Sequence, residues 1–164
     1  MSESPDFTVV LVVAARDGQY HLRGSDGMDN MWPGTQDGLT VGEDNWLAIL
    51  CGTEFGPVEV TVHCLSSPPP AENGWEMIVE RDLEVDDAIV IRELYVQDQP
   101  STVPATPGWN RLRISVRARY EAASTAAVLE SPVEQHLIQL WPVTTWTESQ
   151  IIAGPDRYGQ NYLS

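Results

Sequence analysis

The chain has 164 residues, 42% of them hydrophobic, which fits one domain with a real core. It carries 24 acidic residues against nine arginines, no lysine, and a net charge of −15. Such a field repels nucleic acid and acidic membranes and attracts basic proteins, and no apolar run nears the roughly 18 residues of a transmembrane helix.

Strand signals dominate from the start. "FTVVLVVAA" (residues 7–15) is a near-continuous, valine-rich run, which predicts a strand buried on both faces. Its flank "SESPD" is acidic rather than basic, which argues against an export signal and for the cytoplasm. "DG" at 17–18 predicts a hairpin turn, with "QYHLRG" returning. Residues 24–45 are thick with Gly, Asp and Asn, a long acidic loop with a short strand near Leu39 to Val41. "WLAILC" is the next core strand. "VEVTVHCL" alternates, with Val58, Val60, Val62 and Cys64 on one side. "WEMIVERDLEV" alternates again, Trp75, Met77, Val79, Leu83 and Val85 facing inward, with Ile78 and Arg81 breaking the pattern, and "AIVIRELYV" follows. Pro100, Pro104 and Pro107 forbid a helix in the next stretch.

"GWNRLRISVRARY" (108–120) is the cleanest period-two segment. Leu112, Ile114, Val116 and Ala118 take one face; Arg111, Arg113, Arg117 and Arg119 take the other. "EAASTAAVLES" is either a short helix or a loop, "VEQHLIQLWPV" is a last core strand, and the tail from 144 has no regular period. The pattern predicts an all-β domain over 1–143, an antiparallel β-sandwich of about seven or eight strands with a long acidic loop, and an irregular C-terminal tail, 144–164, packed on it or mobile.

Charge is unevenly placed. Residues 1–98 hold 19 acids and four arginines, a net −15; residues 99–164 hold five of each, a net zero. Opposite charges across a sheet stabilise it by roughly 0.2–1 kcal/mol per pair, so the arginine stripe reads as a counterweight to the acids of 76–93. An arginine without an acidic neighbour would be the best candidate for function; in that alternative reading Arg111, Arg113, Arg117 and Arg119 bind a small anion.

Enzyme chemistry lacks a constellation. His21, His63 and His136 have no spaced partners, and Cys51 and Cys64 lack zinc-site spacing, so neither metal nor cofactor is expected. The cysteines read as reduced, a disulfide being the alternative. There is no G-x-S-x-G and no glycine loop followed by Lys. Among six tryptophans, Trp46, Trp75 and Trp141 fit core positions, while Trp32 is either a plug into the core or an interface anchor.

The order "FTVVLVVAARDGQYHL", "NWLAILCGTEFGPVEVTVHCL", then "WEMIVERDLEV", "AIVIREL", "PGWNRLRISVRARY" and "EQHLIQLWPV" resembles the ComJ-like nuclease inhibitors, and more broadly the immunity proteins of bacterial toxins. The tail after 143 and the arginine stripe have no counterpart in that pattern. The resemblance implies a non-enzymatic acidic β-domain that binds a basic toxin or nuclease. The partner surface it suggests is Asp26, Met28, Asp29, Met31, Trp32, Asp37, Glu43 and Asp44 in the loop, with Glu80, Asp82, Glu84, Asp86 and Asp87 beyond it.

Overall fold

The computed structural model describes residues 6–25, 34–93 and 101–163. Along them run β1 (Phe7–Arg16), β2 (Gln19–Arg23), β3 (Thr40–Gly42), β4 (Trp46–Leu50), β5 (Phe55–Cys64), β6 (Met77–Val85), β7 (Ala88–Glu93), β8 (Ser101–Pro104), β9 (Gly108–Arg117), α1 (Arg119–Thr125), β10 (Gln135–Pro142), β11 (Gln150–Ala153) and α2 (Gln160–Leu163). All eleven strands share one sheet, ordered β11-β6-β9-β10-β5-β1-β2-β4-β3, with β7 and β8 branching from β2. The sheet is mixed and curls into a half-barrel.

The chain is therefore all-β, as predicted, but not a sandwich of seven or eight antiparallel strands. Two things hid this. The strands β3, β8 and β11 are only three or four residues long and sit among Gly and Pro. And β10 runs parallel to β5, His136 opposite Val60 and Ile138 opposite Val62, across an intervening stretch of several other strands. Periodicity within a strand cannot reveal which distant strand it meets.

The core fills the concave side of the curl. Val13 and Ala15 of β1, Val58, Val60 and Val62 of β5, Met77, Val79, Leu83 and Val85 of β6, Leu112, Ile114 and Val116 of β9, and Ile138 and Leu140 of β10 form one buried cluster. These are alternate positions of each strand, while β9 and β10 are buried on their other face as well, through Arg111, Arg113, Leu137 and Trp141. The first strand departs from expectation. Val10 is 61% and Val12 68% exposed, so β1 is buried on one face only. Ile78, which broke the pattern of β6, is buried where β11 pairs alongside. Asp17 (φ 52°) and Gly18 (φ 74°) make the predicted hairpin turn.

The arginine stripe is shorter than its pattern. Ala118 takes a left-handed conformation (φ 66°, ψ 23°), which ends the alternation and starts α1. Arg119 thus leaves the outer face and is wholly buried. Its guanidinium pairs with Asp156 (2.6 and 2.9 Å) and donates to the carbonyls of Gly38 (3.1 Å) and Leu50 (3.0 Å). Tyr158 lies against it, 5.0 Å from ring centroid to guanidinium. Four segments far apart in sequence are tied at one cation. No helix among the described residues is long and apolar enough to cross a membrane.

Candidate functional site

The strand registers gather one set of turns at one end of the half-barrel. Leu83 and Val85 of β6 lie opposite Asn110 and Gly108 of β9, Pro142 of β10 opposite Asn110, and Phe7 of β1 opposite Cys64 of β5. The β3–β4 and β6–β7 turns are bonded together there. Glu84 N–H donates to the Asp44 carbonyl (2.7 Å), Asp86 N–H to Gly24 (2.8 Å), and Gly24 N–H to Asn45 (2.9 Å). Gly24 is forced by this contact, because a Cβ at that position would stand 2.0 Å from the Glu84 carbonyl oxygen.

The side chains of these turns are acidic. Glu43, Asp44, Glu84, Asp86 and Asp87 are all exposed, so five carboxylates crown backbone segments that are hydrogen-bonded to one another. The other predicted acids do structural work. Asp37 is buried and accepts from Leu39 N–H (2.7 Å), Thr40 N–H (2.6 Å) and Thr40 Oγ1 (2.5 Å), bracing the loop into β3. Glu80 accepts from Arg111 (3.3 Å) and Arg113 (2.9 Å), and buried Asp82 pairs with Arg111 (3.1 Å). Asp26, Met28, Asp29, Met31 and Trp32 lie outside the described residues.

The arginines divide in the same way. The register sets Arg113 across from Glu80 and Arg111 across from Asp82, the cross-strand neutralisation expected from the charge count. Arg111 also donates to the carbonyls of Thr147 and Glu148 and so holds the tail against the sheet. Arg117 is exposed; it donates to Gln135 (2.6 Å) and stacks on Trp75 at 4.6 Å. That stacking explains why Trp75 is half-buried on the outer face rather than in the core, whereas Trp46 and Trp141 are buried.

Beside the crown lies a polar cleft of about 410 Å³, walled by Asp37, Glu43, Asp44, Arg81, Trp146 and Glu148. Arg81 breaks the period of β6 because it spans the seam of the half-barrel, donating to Thr40 Oγ1 (3.0 Å). Burial lowers its pKa from the ordinary value, and Asp37, Asp44 and Glu43 oppose that shift. Trp146 is 52% exposed. No strand period contains Trp146, so its place in the sequence carried no sign of this role.

A second polar group sits inside the barrel. Tyr20 Oη bonds His136 Nδ1 (2.7 Å), His136 Nε2 bonds Glu134 (2.6 Å), and Thr53 N–H donates to Glu134 (2.6 Å). The donor atoms of Cys51, Glu134 and His136 lie within 4.8 Å of one another, a set that could hold a metal ion. Both ring nitrogens and both carboxylate oxygens already have partners, so the set also stands as a satisfied core network. Burial pushes the Glu134 carboxyl up, but His136 and Thr53 outweigh it and hold it below the ordinary range. The Tyr20→Phe variant leaves His136 Nδ1 without its partner in the core and is expected to lose about 1–3 kcal/mol in urea unfolding; an unchanged midpoint would refute the network's role.

Stability should also fall in acid. Burial first, then Arg23 and Arg92, bring the His21 pKa from 6.5 to about 4. Between those values the unfolded chain binds a proton that the folded chain refuses, so stability is full above pH 6.5 and declines toward pH 4. The depressed Glu134 acts with the same sign at lower pH, its contribution being lost as the carboxylate protonates. Thermal melts from pH 7.5 down to 4 should drift downward, and His21→Asn should flatten the upper part of that drift.

In fold, the chain is similar to an inhibitor of a nuclease. That structure is ComJ, inhibitor of the DNA degrading activity of NucA, from Bacillus subtilis, matched over 85% of this chain and 100% of ComJ at TM-score 0.63 and 12% identity. A second solved structure, the product of crocagin biosynthetic gene J, matches over 85% of this chain and 99% of its own at TM-score 0.54 and 14% identity. No protein-family model and no curated protein matches the sequence. At these identities the likeness is one of fold, and it agrees with the ComJ-like order of elements read from the sequence.

Proposed function

We propose that this chain is a non-enzymatic, immunity-type inhibitor that binds a basic toxin or nuclease through its acidic end. The observation that carries the proposal is the crown of five exposed carboxylates, Glu43, Asp44, Glu84, Asp86 and Asp87, on turns bonded to one another. Fixed carboxylates at one end of a rigid sheet can imitate the spacing of phosphates and steer a cationic surface into contact. Trp146, at the mouth of the neighbouring cleft, supplies a large apolar contact that charge alone does not. The fold likeness to a nuclease inhibitor supports the reading. Three of the four stripe arginines are matched by carboxylates, Arg111 and Arg113 on the sheet and Arg119 inside, which weighs against the alternative of an anion site along the stripe.

The test is inhibition of DNA degradation by basic bacterial nucleases, with association rates followed from about 20 to 300 mM salt. Inhibition that weakens steeply with salt supports the reading, because exposed charges are screened over about 10 Å at 0.1 M. If a broad panel of basic nucleases and toxins is neither bound nor inhibited, the reading fails.

A further inference from the structure

The polar group inside the barrel joins two distant stretches of chain. Cys51 and Thr53 follow β4, and Glu134 and His136 stand at the start of β10. All four are buried, at 0–1% exposure. One donor atom each of Cys51, Glu134 and His136 falls within 4.8 Å of the others. A tetrahedral zinc ion, with bonds of about 2.3 Å to sulfur and about 2.0–2.2 Å to nitrogen and oxygen, holds its ligand atoms about 3.4–3.6 Å apart. Small side-chain shifts therefore seat an ion among the three. The hydrogen bonds already present are the outer shell such a site requires. His136 Nδ1 meets Tyr20 Oη (2.7 Å), and Glu134 Oε1 accepts from Thr53 N–H (2.6 Å). A metal-bound imidazole keeps its second nitrogen on an oxygen in this way, and a metal-bound carboxylate is itself hydrogen-bonded. The two remaining atoms, His136 Nε2 and Glu134 Oε2, face each other at 2.6 Å. Two further groups are left idle. Cys51 Sγ reaches only the Ile49 carbonyl, at 3.7 Å, and Thr53 Oγ1 is buried with no partner. Buried polar atoms without partners are uncommon, and this one belongs to the residue whose N–H already holds the carboxylate.

Charge points the same way. The only ion-pair partner of Glu134 among the described residues is His136. A divalent ion bound by one thiolate, one carboxylate and one neutral imidazole is neutral overall, the balance a closed interior favours. Thiolate, imidazole and carboxylate are also ligands that zinc accepts together. We propose that Cys51 Sγ, Glu134 Oε2 and His136 Nε2 form a structural zinc site inside the half-barrel, with Thr53 Oγ1 as the neutral fourth ligand. The thiol proton of Cys51 leaves as the ion binds, and the imidazole keeps its proton on Nδ1, toward Tyr20 Oη. The site is sealed from solvent and has no open position for a substrate. The ion thus enters as the chain folds and ties the end of β4 to the start of β10. The site does not depend on the inhibitor reading.

The full chain is unfolded in urea with a chelator and a reductant, then refolded with zinc, with cobalt(II), or with the chelator alone. We expect one equivalent of zinc per chain to survive dialysis against citrate, read by elemental mass spectrometry. The zinc-refolded chain should melt roughly 5–10 °C above the chelator-refolded one. The cobalt-refolded chain should show the visible bands of a tetrahedral ion and a near-ultraviolet thiolate-to-cobalt charge transfer. The chain has two cysteines, so Cys64→Ala should keep those bands, and Cys51→Ala should lose them together with the metal-dependent melting shift. Cys51→Ala removes no strong hydrogen bond. If it nevertheless fails to fold, the Cys64→Ala chain still decides, because Cys51 is then the one thiol present. No retained zinc, equal melting with and without it, or a Cys64→Ala chain lacking charge transfer would overturn the site. Zinc held equally by a folded Cys51→Ala chain would be an adventitious ion only, on surface carboxylates, and would overturn it as well. None of these readouts involves a nuclease, so the metal site and the inhibitor reading fall separately.

Discussion

Replacing Arg119 with methionine is expected to cost about 3–5 kcal/mol of folding stability, the largest effect of any single change outside the apolar core. The guanidinium is wholly buried and its partner Asp156 nearly so. Methionine fills much of the volume but leaves the Asp156 carboxylate with the Gly159 N–H (2.7 Å) and no cation. The carbonyls of Gly38 and Leu50 lose their donor as well. For a chain of this size the loss should lower the melting temperature by roughly 10 °C. Asp156→Ala should cost a similar amount, because it strands the opposite charge. The double variant should cost clearly less than the sum, with a coupling of about 0.5–3 kcal/mol. Additive losses would show that the two groups do not act as a pair. An Arg119→Met variant that melts like the parent would show that the cation is dispensable to the fold.

The second large effect concerns association rather than folding. Changing Glu43, Asp44, Glu84, Asp86 and Asp87 together to their amides removes five of the chain's fifteen excess negative charges. All five are exposed, so folding stability should stay the same or rise slightly as like charges are relieved. Association with an inhibited basic nuclease should slow by about 10- to 1000-fold at low salt, the range of electrostatic steering. The salt dependence of the rate should flatten in parallel. Dissociation should change less, since rim charges act mainly on encounter. Stopped-flow mixing of the parent and the amide variant with the same nuclease measures both. Unchanged association would remove the crown from the interface. The amides of Glu59 and Glu72, acids elsewhere on the surface, serve as the control for net charge alone.

Two features account for the difference between what is legible in the chain and what is not. Alternation named Val58, Val60 and Val62 of β5, Met77, Val79, Leu83 and Val85 of β6, and Leu112, Ile114 and Val116 of β9 as inward, and all of them lie in the buried cluster, because a strand with one face on the core shows period two independently of its neighbours. The acid excess of residues 1–98 and the presence of strong counterions in 108–120 are likewise properties of the chain alone. The same pattern misplaced Arg119, since a single left-handed residue, Ala118, turns the chain and sends the next side chain inward. It treated the apolar run of β1 as doubly buried, although nothing among the described residues covers Val10 and Val12.

The acidic crown shows the division most clearly. Its five carboxylates were all named from the sequence, but so were Asp37, Glu80 and Asp82, which the fold spends on a loop brace and on Arg111 and Arg113. The polar network of Tyr20, Glu134 and His136 depends on atoms brought within 3 Å by strands far apart in the chain. The amino-acid sequence by itself determined an all-β chain, its inward faces and its sign of charge, because each follows from local alternation and from counting. Only the tertiary structure decided that β10 lies parallel to β5, which acids are consumed and which remain free, and where a cavity opens beside them. Those depend on pairing between distant strands, whose register is set by the whole core rather than by any one segment.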